Sequence, residues 1–397
     1  MFLHIVESNI RNNTRFVART FNFLQVCKHW NEVGVSSPRL WRWWVAGSFR
    51  AWPLFNTRSK NTPLSLTWRP QFSTSPRDIL TNFGVSKRIH QLDFSCSSRQ
   101  LAEFLGTFDS SPPSNVSSLR FQITPHNVHE PREPLDRFFS SPFPKLSKLD
   151  LENFLPNPSS PVFTTSNLTS LRLSHPFQKE NCYTLAQFSQ ILQRHPSIQE
   201  LSLSCGALPL PGQSGPLVSP VLPRLLSLRL HGSEAAISGF IDLIDMFSPL
   251  SNVVISFDRG PKSTALTLAG AVRKIIVAYY ESQGSNYPRK IHYFSIVSNQ
   301  EKDLLTFHTR SRPTPTSNLR SNFRLQFNAV NDIAGNAMVK EFFPLFPLDD
   351  VREFSAEGQP TYEERYNEMF QKMKGLSHLR LDGQKVLSGL RALYSGN

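Results

Sequence analysis

One short phrase recurs along this chain: an aliphatic residue, two free positions, a second aliphatic, one free position, then a third aliphatic or Phe. It begins at Ile89, Val116, Leu146, Leu168, Ile198 and Leu225, at a nearly even spacing. Weaker copies begin at Leu250, Ile291 and Val351, and a clear one returns at Leu376, Leu379 and Leu381. Alternation of apolar and free positions suits an extended strand, whose successive side chains point to opposite faces. A unit this short cannot bury its apolar face alone, so the phrase restricts the fold to strands stacked on their neighbours in a repeat architecture.

The segments between the phrases carry a helical period. Leu101, Phe104, Leu105 and Phe108 recur at that spacing, as do Leu185, Phe188, Ile191 and Leu192, and Ile237, Phe240, Ile241, Ile244 and Phe247. Thr184 and Ser233 stand where N-caps belong, and Thr361 with Glu364 has capping-box spacing. Pro144, Pro196 and Pro223 each lie two positions ahead of a phrase, where proline ends a helix and favours an extended entry. With 30 prolines spread along the chain, many short elements are expected rather than a few long helices. The expected fold is α/β. The unit resembles a leucine-rich repeat, one strand plus a helix or turn, although the Asn usual after that family's strand is mostly absent. The resemblance implies an irregular leucine-rich-repeat-like α/β solenoid over residues 89–397.

All six tryptophans lie at or before Trp68. Residues 24–44 combine an apolar stripe, Leu24, Val26, Cys27, Trp30 and Val33, with a Ser36-Ser37-Pro38 break and an aromatic knot at Trp41, Trp43 and Trp44. Aromatics this dense must be buried or presented to a partner. Val26-Cys27-Lys28-His29-Trp30 and Ser37-Pro38-Arg39-Leu40-Trp41 resemble the two motifs of an F-box, the helical module that docks substrate receptors onto the Skp-type adaptor of cullin-RING ubiquitin ligases. Residues 1–6 are similar to that module's first helix, without its Leu-Pro-x-Glu opening, so the resemblance is to an F-box incomplete at its start.

The resemblance implies a small helical module over residues 1–45, a junction over 46–88 containing a strand near Leu64 and Leu66, and the repeats beyond. Val26, Trp30, Pro38, Leu40 and Trp41 occupy the family's docking positions, with Trp30 and Trp41 expected in the module's core and Pro38 and Leu40 expected at its surface. The implied role is a substrate receptor of a Skp-cullin-F-box (SCF) ligase. Its partners would be the adaptor, the cullin scaffold and a protein substrate.

In each Leu-x-Leu strand the middle residue points away from the core. Those positions hold Asp93, Arg120, Asp150, Arg172, Ser202, Arg229 and Arg380, flanked by Lys148, Glu200, His231 and His378. Guanidinium groups grip carboxylate and phosphate bidentately, so Arg120, Asp150, Arg172, Arg229 and Arg380 form a candidate substrate surface for an acidic or phosphorylated partner.

A net charge of +13 raises nucleic-acid binding as an alternative, but the 43 basic residues are dispersed and no cluster interleaves with a stacking aromatic platform. A repeat scaffold outside any ligase is the other alternative. No phosphate-binding Gly-rich loop, nucleophile elbow or paired zinc-type cysteines is found. His126, His129, Glu130 and Glu133 come nearest to a metal cluster but sit in a Pro-bounded loop, and Asp242 and Asp245 share the polar side of a helix. A non-catalytic protein without cofactor is therefore expected. Four separated cysteines, no signal-like start and no apolar run of membrane length point to the cytoplasm or nucleus.

Overall fold

The computed structural model describes residues 25–45, 52–69, 86–106, 113–124, 133–175, 183–209, 218–244, 250, 252–258, 273–274, 291–298, 303–309, 321–328, 348–349, 351–358 and 370–382. The protein is α/β, and its chain divides into two compact units, Met1–Ser170 and Leu171–Asn397.

In the first unit, strands β1 (Trp43–Val45), β2 (Leu64–Trp68), β3 (Ile89–Ser97), β4 (Ser118–Thr124) and β5 (Lys148–Glu152) pair in chain order, every pair parallel. The sheet thus starts at Trp43, ahead of the first recognised phrase. Register aligns Leu92, Leu119 and Leu149 in one buried row, and Phe94, Phe121 and Leu151 in the next. Helices α1 (Lys28–Ser36), α2 (Trp52–Ser59), α3 (Ser98–Leu105) and α4 (Glu133–Phe139) complete the unit. Helix α3 lays Leu101, Phe104 and Leu105 on β3 and β4, on the face the period assigned to them.

Aromatic rings run through this core. Phe94 lies 4.0 Å from Phe104, 6.0 Å from Phe121 and 6.2 Å from Trp68 between ring centroids. Phe121 then meets Phe138 and Phe139, and Phe139 meets Phe154. Each fully buried Phe stabilises by about 1.5–3 kcal/mol through area removed from water.

In the second unit, β7 (Glu200–Cys205) follows β6 (Ser170–His175), whose first residue closes the first unit. Strands β8 (Ser227–Ser233) and β9 (Asn252–Asp258) continue it as parallel neighbours. The inward positions are aliphatic: Leu201, Leu203, Leu228, Leu230, Val253 and Ile255 are all buried. Helices α5 (Leu185–Arg194) and α6 (Glu234–Leu243) cover them, and Phe188 meets Phe240 edge-on at 5.6 Å. Thr184 caps α5 as expected, in a full capping box with Gln187. Ser233 stands at the N-cap of α6, but its side chain makes no capping bond. Thr361, Glu364, Phe108 and Phe247 lie outside the described residues.

Every phrase carries a strand, including the weaker copies: β10 (Ile291–Ser298), β13 (Glu353–Gly358) and β14 (His378–Asp382). Three strands were not foreseen: β1, at the aromatic knot, and β11 (Asp303–Thr309) and β12 (Ser321–Asn328). Strands β11 and β12 run antiparallel to each other, β11 also antiparallel to β10, while β12 pairs parallel with β9 and β13 parallel with β10. The interval from Ile291 to Val351 is about twice the usual one, which is the room this meander occupies.

Two features absent from the phrase support the strands. Asn153, just past β5, adopts a positive φ of 67° and donates its side-chain amide to the Ile123 carbonyl of β4. Asn tolerates that region better than most residues because its short polar side chain bonds locally. The residue after the first aliphatic of the phrase is also used: Ser117, Ser147 and Thr169 donate both backbone N–H and hydroxyl to the carbonyls of His90, Ser117 and Ser147, respectively. Each hydroxyl occupies a second lone pair that would otherwise need water.

Candidate functional site

Helix α1 begins at Cys27, whose Sγ accepts from the Trp30 N–H at 3.5 Å, and ends where the Ser37 N–H and hydroxyl return to Gly34 and Val33. Pro38 then opens a 3-10 turn, Pro38–Arg42. Trp41 locks these pieces together. Its indole N–H donates to the Gly34 carbonyl at 2.9 Å, its ring meets Phe55 of α2 edge-on at 5.3 Å, and the Arg58 guanidinium lies over it at 4.4 Å. The Trp44 indole N–H donates to the Trp41 carbonyl.

Helix α2 is fastened to the start of β3 by Arg88, which donates to Asn56 Oδ1, Ser59 Oγ and the Thr62 carbonyl. Burial pulls the Arg88 pKa below its usual value. The 3-10 turn Pro38–Arg42, α2 and the start of β3 are therefore physically continuous.

The five docking positions separate in this arrangement. Trp41 is buried, as expected, and Trp30 and Pro38 are half-buried. Leu40, expected at the surface, is 4% exposed: the 3-10 turn packs against α2 and carries Leu40 into the core beside Trp41. Val26 is 62% exposed, and Val33 is 40% exposed. Val26 lies in the turn ahead of the Cys27 N-cap, whereas Trp30 and Val33, three positions apart on α1, share one helical face. Leu54 on α2 is a further exposed apolar side chain.

The substrate positions fall on the outward face of their strands, where burial alternates as the phrase requires. In the first unit the register row reads Thr67, Asp93, Arg120, Asp150. Its charges hold one another. Arg69, just past β2, forks onto Asp93 with Nη1–Oδ1 at 3.0 Å and Nη2–Oδ2 at 2.8 Å, and Arg120 Nε lies 3.3 Å from Asp150 Oδ2. Arg69 lies outside every Leu-x-Leu triplet, so the phrase did not mark it.

In the second unit the row reads Ser202, Arg229, Val254, and register continues it through Arg324, Thr306, Ser295 and Ser355 to Arg380. It contains three arginines and no carboxylate. Arg229 is exposed and has no ion-pair partner among the described residues. The adjacent row, Ser204, His231, Ser256, is also free of carboxylates. Glu200 stands one row toward the strand starts, beside Ser227, whose Oγ accepts from the Asn252 amide at 3.0 Å. Arg172, on β6, and Arg380 are exposed.

Among the described residues no group of three His, Cys, Asp or Glu side chains is arranged to hold a metal ion, and no helix is long and apolar enough to cross a membrane. His126, His129, Glu130 and Asp245 lie outside the described residues, Glu133 is the first residue of α4, and Asp242 is exposed on α6. Burial pushes the Cys96 thiol up to about 12, against the opposing pull of Arg69. That thiol is protonated and inert at neutral pH. No protein-family model matches the chain, and no curated protein matches it significantly.

Proposed function

We propose that this protein is a non-catalytic F-box substrate receptor: its N-terminal segment docks on a Skp-type adaptor held by a cullin scaffold, and leucine-rich-repeat-like strands hold a protein substrate. The observation that carries the reading is the exposed Val26 and Val33 within the stretch whose two motifs resemble an F-box. A stable interface needs a desolvated apolar centre, and these side chains are available to form one while Leu40 and Trp41 hold the segment's own core. The repeat reading draws further support from strands at all ten phrases and from Asn153, which ties two neighbouring strands as a post-strand Asn does in regular repeats.

The test is co-purification with a Skp-type adaptor. Recovery is expected with the intact chain and should fall at least tenfold for Val26→Glu with Val33→Glu, while tryptophan fluorescence of the purified variant stays that of the folded chain. Leu40 substitutions are unsuitable, because they empty a core position. An intact, folded chain that recovers no adaptor, extended upstream or not, leaves a repeat scaffold outside the ligase as the surviving reading.

A further inference from the structure

We infer that the outward face of β6 to β8 holds one phosphorylated side chain of a partner peptide, seated over Ser202 between Arg172 and Arg229. The inference deepens the substrate-receptor reading and takes its biological context from it, while its chemistry comes from the strand register.

Strands β6, β7 and β8 are neighbours in that order, and Arg172, Ser202 and Arg229 all belong to the second unit. Register pairs Ser202 with Arg229. On the other side, the phrases beginning at Leu168 and Ile198 bring Arg172 level with Ser202, and the Gly206 N–H holds that alignment by donating to the His175 carbonyl at 2.7 Å. The row therefore reads Arg172, Ser202, Arg229: a short hydroxyl side chain with an exposed arginine on either side. The first unit carries the inverse, Asp93, Arg120, Asp150, in which Arg120 is engaged by Asp150 and Asp93 is forked by Arg69. There a cation stands between two acids. Here a low gap stands between two cations.

Spacing and charge choose the ligand. Neighbouring strands lie about 4.8 Å apart, so a group above Ser202 is within reach of an arginine side chain from each flank. A phosphate monoester carries about −1.5 to −2 charge and three strong acceptor oxygens, which match two guanidiniums and the hydroxyl beneath them. A carboxylate, with one charge and two oxygens, fills one fork and leaves the other guanidinium unmatched. One step along the same face, Ser204 lies beside His231, so that row adds no carboxylate. Glu200, two positions before Ser202 on β7, bounds the site on the opposite side. None of these outward positions holds a Phe, Tyr or Trp on which a nucleobase could stack, which favours a phosphopeptide over single-stranded nucleic acid.

The experiment uses the full chain and fluorescence anisotropy with labelled dodecapeptides of one sequence whose central residue is phosphoserine, glutamate or serine. A labelled oligouridylate is the fourth probe. The phosphoserine peptide should bind at least tenfold tighter than the serine peptide and at least threefold tighter than the glutamate peptide. Arg172→Ala and Arg229→Ala should each cut the preference for phosphoserine over serine at least fivefold with an unchanged far-ultraviolet circular dichroism spectrum, and Arg120→Ala should leave it within twofold. Equal binding of the serine peptide overturns the inference, as does full preference retained in either Arg172→Ala or Arg229→Ala, or a loss in Arg120→Ala as large as that in Arg229→Ala. A glutamate peptide that binds as tightly as the phosphoserine peptide overturns the phosphoryl assignment. Oligouridylate binding that exceeds every peptide and falls in Arg229→Ala overturns the inference in favour of nucleic acid. Adaptor co-purification is scored separately: adaptor capture without peptide preference rejects this inference alone, and peptide preference without adaptor capture rejects the ligase reading alone.

Discussion

In the unit Met1–Ser170 the charged side chains on the outward strand face hold one another, whereas in Leu171–Asn397 the equivalent row reaches Arg229 and finds a serine and a valine beside it. Both rows are filled by the middle residue of the same Leu-x-Leu triplet. The triplet decides which face a side chain occupies, and its cross-strand neighbours decide whether its charge is spent within the protein. The cores differ in parallel: linked aromatic rings in the first unit, mostly aliphatic side chains in the second. The outward charges are thus paired across strands in the first unit, while Arg229 has no ion-pair partner among the described residues of the second.

The largest effect is expected in the aromatic core. Phe94→Ala removes a ring that touches Trp68, Phe104 and Phe121 and should cost about 3–5 kcal/mol. Leu230→Ala, at the same position of the phrase in the second unit, should cost about 2–5 kcal/mol, and less than Phe94→Ala within one set of measurements. Because every tryptophan lies at or before Trp68, urea unfolding followed by tryptophan fluorescence reports the first unit, while circular dichroism reports both. A larger loss at Leu230 would reverse the ranking of the two cores.

Alkali separates the units by about 1–2 kcal/mol. Cys96 is buried in the first unit with its thiol pushed up to about 12, against an ordinary thiol value of about 8.5. Between those values the folded chain keeps a proton that the unfolded chain releases. Its contribution to stability is complete below about pH 8.5 and declines by up to about 1.4 kcal/mol per pH unit toward 12. By about pH 9.5 the fluorescence-detected unfolding free energy should have dropped by about 1.4 kcal/mol relative to neutral pH, and Cys96→Ala should abolish that part of the slope. In the second unit burial pushes the Tyr183 phenol well above its usual range, so its loss begins about 1.5 pH units higher, near the ordinary phenol value of about 10. An identical slope in Cys96→Ala would remove the thiol from this account.

Much of this was legible in the sequence because it depends on period. The phrase located ten strands, and the helical spacing of Leu185, Phe188, Ile191 and Leu192 located α5 and its Thr184 cap. What period does not encode was missed. The β11–β12 meander pairs by long-range register inside an interval with no phrase of its own. Leu40 is buried because a 3-10 turn, not a surface helix, carries it against α2. Arg69 lies one position past a strand, where no alternation rule reaches, yet it decides whether Asp93 belongs to a binding surface or to the protein's own salt bridges. Site chemistry on a repeat surface depends on the lateral neighbour, a whole repeat away in sequence, and only the register supplies it.

The smallest stability change carries the most pointed test of that idea. Asp93→Asn breaks the fork from Arg69, and because both partners are less than a third exposed it should cost about 1 kcal/mol. Asp150→Asn should cost only a few tenths of a kcal/mol, since Arg120 is 43% exposed and solvent screens that pair. Neither change alters the side-chain shape at its position. Together they convert the row Thr67, Asp93, Arg120, Asp150 into one without carboxylates, the condition that distinguishes the second unit. In an Arg229→Ala background, affinity for an anionic peptide should then rise at least threefold over Arg229→Ala alone, and Arg120→Ala should reverse the gain. A gain that survives Arg120→Ala would mean that net charge, already +13, governs capture, and the neighbour-by-neighbour distinction between the two units would fail.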